Sequence, residues 1–371
     1  MVQRVEMHKF MSVTILTMMN NNFYFKNHKV CCISDVHIGV HQNSQMWLDI
    51  CTEWADWLIE QLEAQGVKDI IMCGDLFHYR DEIAVNTIHY VTNLLNKFKK
   101  FNIIMLVGNH DAYYKDRSDI NSLSILSGWE NIHIVDNDIF EHEQYGTTMS
   151  FVPWGIPANK IPNTDITFGH FEIQNFKLNH TKICTHGLQP TQLLDKSKLV
   201  ITGHFHTRDE RDYKQGKIIY LGNPYQMDFG DTGSQKGYYI LNLKNSSYTF
   251  KPNNISPTHQ KLYLSKLVEH GDVDETIKNT IKNNIVRFIV DRNIAPDEID
   301  KLLKLFNSFK PLVITTDYTI NFNKFGMEDS NDTDLSGVSI ESAIKEFVNL
   351  LDVENKDTII DYTTNLYKQC K

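Results

Sequence analysis

Five apolar runs in this chain end the same way, in a small or polar residue followed by side chains that can bind a metal. "CCISDVH" supplies Asp35 and His37, "IIMCGDLFH" Asp75 and His78, and "IMLVGNHD" Asn109, His110 and Asp111. "DITFGHFE" supplies His170 and Glu172, and "LVITGHFH" His204 and His206. A single Asp or His at the end of such a run is more often a satisfied polar group than a ligand. Five of them, each at the same place relative to an apolar run, are not accounted for in that way. Carboxylate oxygens and imidazole nitrogens together suit Mn²⁺, Fe²⁺ or Zn²⁺ better than Ca²⁺ or Mg²⁺, which prefer all-oxygen cages. So many donors exceed the needs of one ion. Two ions about 3.5–4 Å apart, bridged by a shared carboxylate, can clamp a phosphate for in-line attack, so phosphoester hydrolysis is the chemistry implied. Glycines at 74, 108, 169 and 203 let the backbone turn sharply and come close to such a centre.

The elements that must position these residues follow from periodicity. "KVCCIS", "KDIIMC" and "NIIMLVG" read as buried strands, separated by helices over about 45–65 and 83–101. This alternation predicts a largely parallel sheet, whose carboxyl edge is where sites form. From Ile132 onward short strands follow ("IHIV", "TMSFVP", "TDITFG", "LVITG", then "KIIYLGN", "KGYYILNL" and "SYTFKPN"), which predicts a second β layer. After "NNISP", the segments "NIVRFIVD", "PDEIDKLLKLFNSF" and "LVITTDYTI" form one compact β-α-β unit. The boundaries expected are an N-terminal extension over 1–27, a catalytic domain over 28–252, a small capping domain over 253–323, an acidic linker over 324–338 and a helical tail over 339–371.

Composition excludes several classes. The 371 residues carry a net charge of −9, which argues against a protein that coats nucleic acid non-specifically. Ten acidic and five basic residues lie from Lys324 onward, so the tail accounts for −5 and only −4 remains for the body. Six cysteines without CxxC spacing predict free thiols in a reducing, intracellular setting. "MSVTILTMMN" (11–20) is about half the length needed to cross a bilayer, so no membrane span is expected. His186 in "THGLQP" has no ligand neighbour in sequence and reads as a structural histidine; His41, His89, His133, His142 and His180 read as surface or packing residues.

The motifs in this order, D-x-H, G-D, G-N-H-D, G-H and G-H-x-H, resemble those of the calcineurin-like metallophosphoesterase superfamily. "GDLFHYR" departs from the protein serine/threonine phosphatases, in which aspartate-arginine-glycine follows G-D. Together with "GHFE", the "HGL" before "GHFH", "YLGNPYQMDFGD" and "KGYYIL", it resembles the SbcD-type double-strand-break repair nuclease subunits, nearest to the recombination endonuclease subunits of T-even-like phages. The likeness runs from about Lys29 to the C-terminus and leaves residues 1–27 without a counterpart.

The resemblance implies an α/β fold: a two-layered β-sandwich core flanked by helices, a small α+β capping domain and C-terminal helices. It implies two divalent ions, Mn²⁺ by preference, one held by Asp35, His37, Asp75 and His206 and the other by Asp75, Asn109, His170 and His204, with Asp75 bridging. His110 becomes the proton donor beside the scissile phosphate, oriented by Asp111, and His78 contacts DNA or the leaving strand. Arg80, Lys115 and Arg117, in the loops after "GDLFH" and "GNHD", are candidate DNA contacts. The expected partners are DNA, a second copy of the chain, and an SbcC-type coiled-coil ATPase that docks on the tail stripe Ile340, Ala343, Ile344, Phe347, Leu350, continued by Ile359, Ile360 and Tyr367. The expected location is the cytoplasm. Two other readings keep the fold: a phosphodiesterase or phosphatase for a small phosphoester, and a non-catalytic scaffold.

Overall fold

The computed structural model describes residues 23–178, 182–270, 273–292, 294–319, 344–345, 348–349 and 355–369. The chain opens with strand β1 (Lys29–Ile33), helix α1 (Gln45–Ala64), β2 (Asp69–Met72), helix α2 (Val85–Lys97), β3 (Asn102–Leu106) and β4 (Ile132–Val135). There follow β5 (Phe140–Gln144), β6 (Thr147–Val152), β7 (Thr164–His170), helix α3 (Pro190–Leu194), β8 (Ser197–Gly203), β9 (Asp209–Tyr213), β10 (Gly216–Tyr220), β11 (Gly237–Asn242) and β12 (Ser247–Pro252).

These strands form two six-stranded sheets, ordered β12-β11-β1-β2-β3-β4 and β5-β6-β7-β8-β10-β9. The pairs β1–β2, β2–β3, β3–β4, β6–β7, β7–β8 and β8–β10 are parallel, and β1–β11, β11–β12, β5–β6 and β9–β10 are antiparallel. Alternation along each strand builds the layers. In β1, Val30 and Cys32 face inward and pack with Ile71, Ile104, Phe151, Phe168 and Ile201 between the sheets. Cys31 and Ile33 face outward, against the apolar stripe of α1 (Trp54, Leu58, Leu62) and α2 (Val91, Leu95). The outer face of the second sheet is covered through Leu193 and Leu194 of α3. This is the two-layered sandwich flanked by helices that the motifs implied.

The edge strands β5 ("FEHEQ") and β9 ("DERDY") were not predicted. Edge strands carry charge to block further pairing, which hides the apolar alternation that marks a strand. Phe23 and Phe25, at the end of the expected N-terminal extension, are buried in the inter-sheet cluster. Residues 1–22 of that segment lie outside the described residues, as do His180 and the 324–338 linker.

A third, all-parallel sheet contains β13 (His259–Tyr263), β14 (Ile285–Val290) and β15 (Val313–Tyr318), with helices α4 (Leu264–His270), α5 (Glu275–Ile281) and α6 (Pro296–Ser308). Its core joins Ile281, Val286, Phe288 and Phe306. The predicted β-α-β unit therefore gains a strand and two helices ahead of it. His259 at the start of β13 is buried beside Trp47 of α1 and Phe229, at ring-centroid distances of 5.9 and 4.8 Å. From Thr319 the chain forms a separate unit, whose described part includes helix α7 (Lys356–Gln369). Of the tail stripe, Ile340, Ala343, Phe347 and Leu350 lie outside the described residues. No described helix is long and apolar enough to cross a membrane.

Candidate metal centre

The carboxyl ends of β1, β2 and β3 in one sheet and of β7 and β8 in the other meet at a common edge, and the five motifs meet there with them. Asp35, His37 and Asp75 follow β1 and β2 with φ of 54°, 50° and 57°, and His204 follows β8 with φ of 93°. Non-glycine residues hold this left-handed backbone only where the surroundings over-determine it. Here the loops after β1 and β2 are zipped together: Asp35 N–H donates to the Gly74 carbonyl and His37 N–H to that of Asp75, both at 3.0 Å. Gly74 and Gly108 are needed for the close approach, because a Cβ on Gly74 would strike the His170 ring and one on Gly108 the Asp75 carboxylate.

Asp75 is the hinge of the arrangement. Its Oδ1 accepts the His110 N–H at 2.8 Å. Its Oδ2 is thereby left facing His37 Nε2 at 3.5 Å on one side and His170 Nε2 at 3.3 Å on the other. Two donor groups result. In the first, His37 Nε2 lies 3.9 Å from Asp35 Oδ1 and 3.0 Å from His206 Nε2. In the second, Asn109 Oδ1 lies 2.8 Å from His170 Nε2 and 2.7 Å from His204 Nδ1. The far nitrogen of His170 donates to the Cys73 carbonyl at 2.7 Å, which fixes the tautomer and leaves Nε2 free to ligate.

The electrostatics fit a cation. Burial would lower the His170 pKa, but the Asp75 carboxylate carries it to about 9, so a bound cation would take the place of the proton on Nε2. Burial also raises Asp75, yet His170 and His37 hold its carboxyl well below the ordinary range. Burial pushes His37 far down despite Asp75, which keeps it a neutral donor. The donor set of carboxylates, imidazoles and one amide oxygen therefore suits divalent ions of the Mn²⁺–Zn²⁺ series.

The other expected residues lie around these two donor groups. Asp111 does not orient His110. Its buried carboxylate accepts N–H groups from Asp75 (2.8 Å), Phe77 (3.0 Å) and Gly108 (3.0 Å), and so staples two loops together. The His110 ring is instead held through Nδ1, 2.6 Å from the His78 carbonyl oxygen. His78 stacks on His110 and brings its Nδ1 within 3.4 Å of His37 Nδ1; burial, then His110 and His206, bring it down to about 4 and keep it neutral. Lys115 lines a cleft of about 290 Å³ that reaches His170 and Glu172. Arg117 is paired with Asp119 at 3.1 Å and lies over Tyr114, and Arg80 is half-buried in the loop after His78.

Three residues escaped the sequence reading. Trp154, just after β6, tilts over the His204 ring at 5.2 Å and donates from its indole N–H to the Lys115 carbonyl. Lys236 and Asp231 form a buried pair at 2.5 Å, and Lys236 also donates to the His206 carbonyl at 2.7 Å. These last two stand in the "MDFGD" and "QKGYYIL" segments, whose charges inside an apolar context were the available signal.

The family model described as the calcineurin-like phosphoesterase superfamily domain matches residues 29–246. "Exonuclease subunit 1" of Enterobacteria phage T4 is 25% identical over 353 residues, covering 91% of this chain and 98% of that protein. The SbcD-type subunit of the SbcCD nuclease from Staphylococcus saprophyticus is 22% identical over 331 residues, covering 80% of this chain and 86% of that protein. Among solved structures, an archaeal phosphodiesterase aligns at 16% identity over 61% of this chain and 99% of that one, with a TM-score of 0.35.

Proposed function

This chain belongs to the calcineurin-like phosphoesterase superfamily, and on that premise we propose that it is a divalent-metal-dependent DNA nuclease subunit acting by 3′ to 5′ exonuclease and single-strand endonuclease cleavage. Support comes from two directions: relatives named as nuclease subunits match along most of both chains, and the donors at the site fall into two groups that share Asp75. The single observation that carries the chemistry is that one oxygen, Asp75 Oδ2, faces both donor groups.

Asp35, His37, Asp75 and His206 would hold one ion, and Asp75, Asn109, His170 and His204 the other; the donors suit Mn²⁺, Fe²⁺ or Zn²⁺, and the likeness to SbcD-type nucleases points to Mn²⁺. When bound, such ions supply Lewis-acid activation of water and neutralise charge on the phosphate oxygens. His110 donates the proton to the leaving oxygen from Nε2, its Nδ1–H being anchored on the His78 carbonyl. His78 acts from behind, steadying both His110 and His37. Asp111 fixes the loops that carry Asp75 and His110. Lys115, with Arg80 and Arg117, faces the DNA backbone. The partners in this reading are an SbcC-type ATPase, docking on the tail helices, and a second copy of the chain, in a cytoplasmic setting.

The test is incubation with Mn²⁺ and end-labelled duplex and single-stranded DNA, beside a small chromogenic phosphodiester. Shortening of DNA from its 3′ ends supports the reading. Hydrolysis of the small substrate with DNA left intact would make the chain a small-molecule phosphodiesterase.

A further inference from the structure

Beside the centre, and outside its donor set, three side chains from two segments converge on one point. Cys184 Sγ lies 3.2 Å from His186 Nδ1, and His186 Nδ1 lies 3.5 Å from Glu172 Oε1. All three donor atoms fall within 4.8 Å of one another. We propose that Glu172, Cys184 and His186 form a third, mononuclear cation site of the Zn²⁺ type at the lip of the catalytic cleft.

The geometry carries this assignment. For a tetrahedral ion with metal–sulfur of about 2.3 Å and metal–nitrogen and metal–oxygen of about 2.0–2.2 Å, adjacent donors stand roughly 3.3–3.6 Å apart. The His186–Glu172 separation falls inside that window, and the Cys184–His186 separation is roughly 0.3–0.5 Å shorter than a sulfur–nitrogen pair on one ion requires, a gap that a small rotation of the exposed imidazole closes. Thiolate, imidazole and carboxylate together are donors for Zn²⁺ and its soft neighbours, unlike the sulfur-free set of the main centre. Three protein ligands leave one position open, and the opening is visible: Cys184 is buried against Phe176 and Tyr220, whereas the His186 side chain is 69% exposed.

The backbone is arranged to hold the three donors in register. Leu188 N–H donates to the Glu172 carbonyl, Gln174 N–H to that of Leu188, Asn175 N–H to that of Cys184, and Cys184 N–H to that of Phe176, all at 2.8–2.9 Å. Gly187 sits at φ +88° with no room for a Cβ against the Glu172 backbone, so the two segments lie closer than any other residue would permit. The Cys184 S–H donates to the His186 carbonyl at 3.1 Å, and that proton would leave when the sulfur ligates an ion. Glu172 Oε1 also lies 3.9 Å from His204 Nε2, so the new site stands one carboxylate away from the dinuclear donors, and Glu172 and Gly187 both line the cleft.

The full chain, stripped of metal and reloaded with Co²⁺, distinguishes this site by its sulfur. The wild type is expected to bind one ion more per chain than either Cys184→Ser or His186→Ala, and to show a thiolate-to-cobalt charge-transfer band that both variants lose. Hydrolysis of a small phosphodiester should continue in both, since neither residue belongs to the dinuclear set. Because Cys184 is buried and its replacement can disturb packing, the exposed His186→Ala variant carries the test alone if Cys184→Ser does not fold. A wild type without the band, or a His186→Ala variant that keeps both the band and the additional ion, overturns the proposal.

Discussion

The Asp111 carboxylate accepts the backbone N–H of Asp75 at 2.8 Å, so the residue that follows "GNH" in sequence fixes the residue that follows "IIMCG". Burial, and then the Asp75 charge, push the Asp111 carboxyl upward, while the N–H groups of Phe77 and Gly108 pull it back. Asp111→Asn turns an amide NH₂ toward those donors and leaves them short of an acceptor. A loss of about 3 kcal/mol is expected, with weakened Mn²⁺ binding, read from urea denaturation and calorimetry. Unchanged stability and unchanged Mn²⁺ affinity would show that the staple is dispensable.

Lys236 acts on the other side of the centre. Removing its charge by Lys236→Met strands Asp231 in the core and frees the His206 carbonyl. Breaking one half of a buried pair costs about 3–5 kcal/mol. The variant should also lose affinity for the ion on the His206 side. A denaturation midpoint equal to the wild type would contradict this account.

Much of the site was legible because catalysis and folding use the same sequence signal here. An apolar run that ends in Asp or His announces both a buried strand and what stands at its carboxyl edge, as with "CCISDVH" and "LVITGHFH". What stayed hidden depends on contacts distant in sequence. Asp111 looks like a partner for its neighbour His110, but its oxygens are taken by the backbone of residues 75–77 and 108. His186 has no ligand beside it in sequence; Glu172 reaches it only because Leu188 pairs with the segment after β7. Strands β5 and β9 were invisible because edges are written in charged residues.

His259 ties the small sheet to the main body, and its titration gives a pH signature. Burial outweighs the nearby Asp231 and Asp228, and with His41 and Arg287 adjacent it brings His259 down to about 4, against an ordinary 6.5. Between those values the unfolded chain binds the proton and the folded chain does not. The stability contributed is therefore full above pH 6.5 and is lost as pH falls toward 4. His259→Phe should be less sensitive to acid than the wild type over that window. Parallel stability–pH curves for the two proteins would rule out His259 as a source of the dependence.

The basic side chains near the cleft should set DNA affinity without setting chemistry. Replacing Arg80, Lys115 and Arg117 together by alanine would remove the proposed phosphate contacts, and each lost contact should flatten the slope of log affinity against log salt by about 0.9. Fluorescence anisotropy with Mn²⁺ present measures the slope. An unchanged slope would place the DNA track elsewhere, and loss of small-phosphodiester hydrolysis would mean that these residues support the metal centre itself.

The central claim is that Asp75 bridges two ions while His110 serves the proton, and calorimetric Mn²⁺ titration of Asp75→Asn and His110→Leu tests it most directly. His110→Leu keeps the backbone N–H that binds Asp75, so it should bind Mn²⁺ as the wild type does, with turnover reduced about 10²–10⁴-fold. Asp75→Asn should lose both ions together. Equal Mn²⁺ binding by the two variants would contradict the assignment.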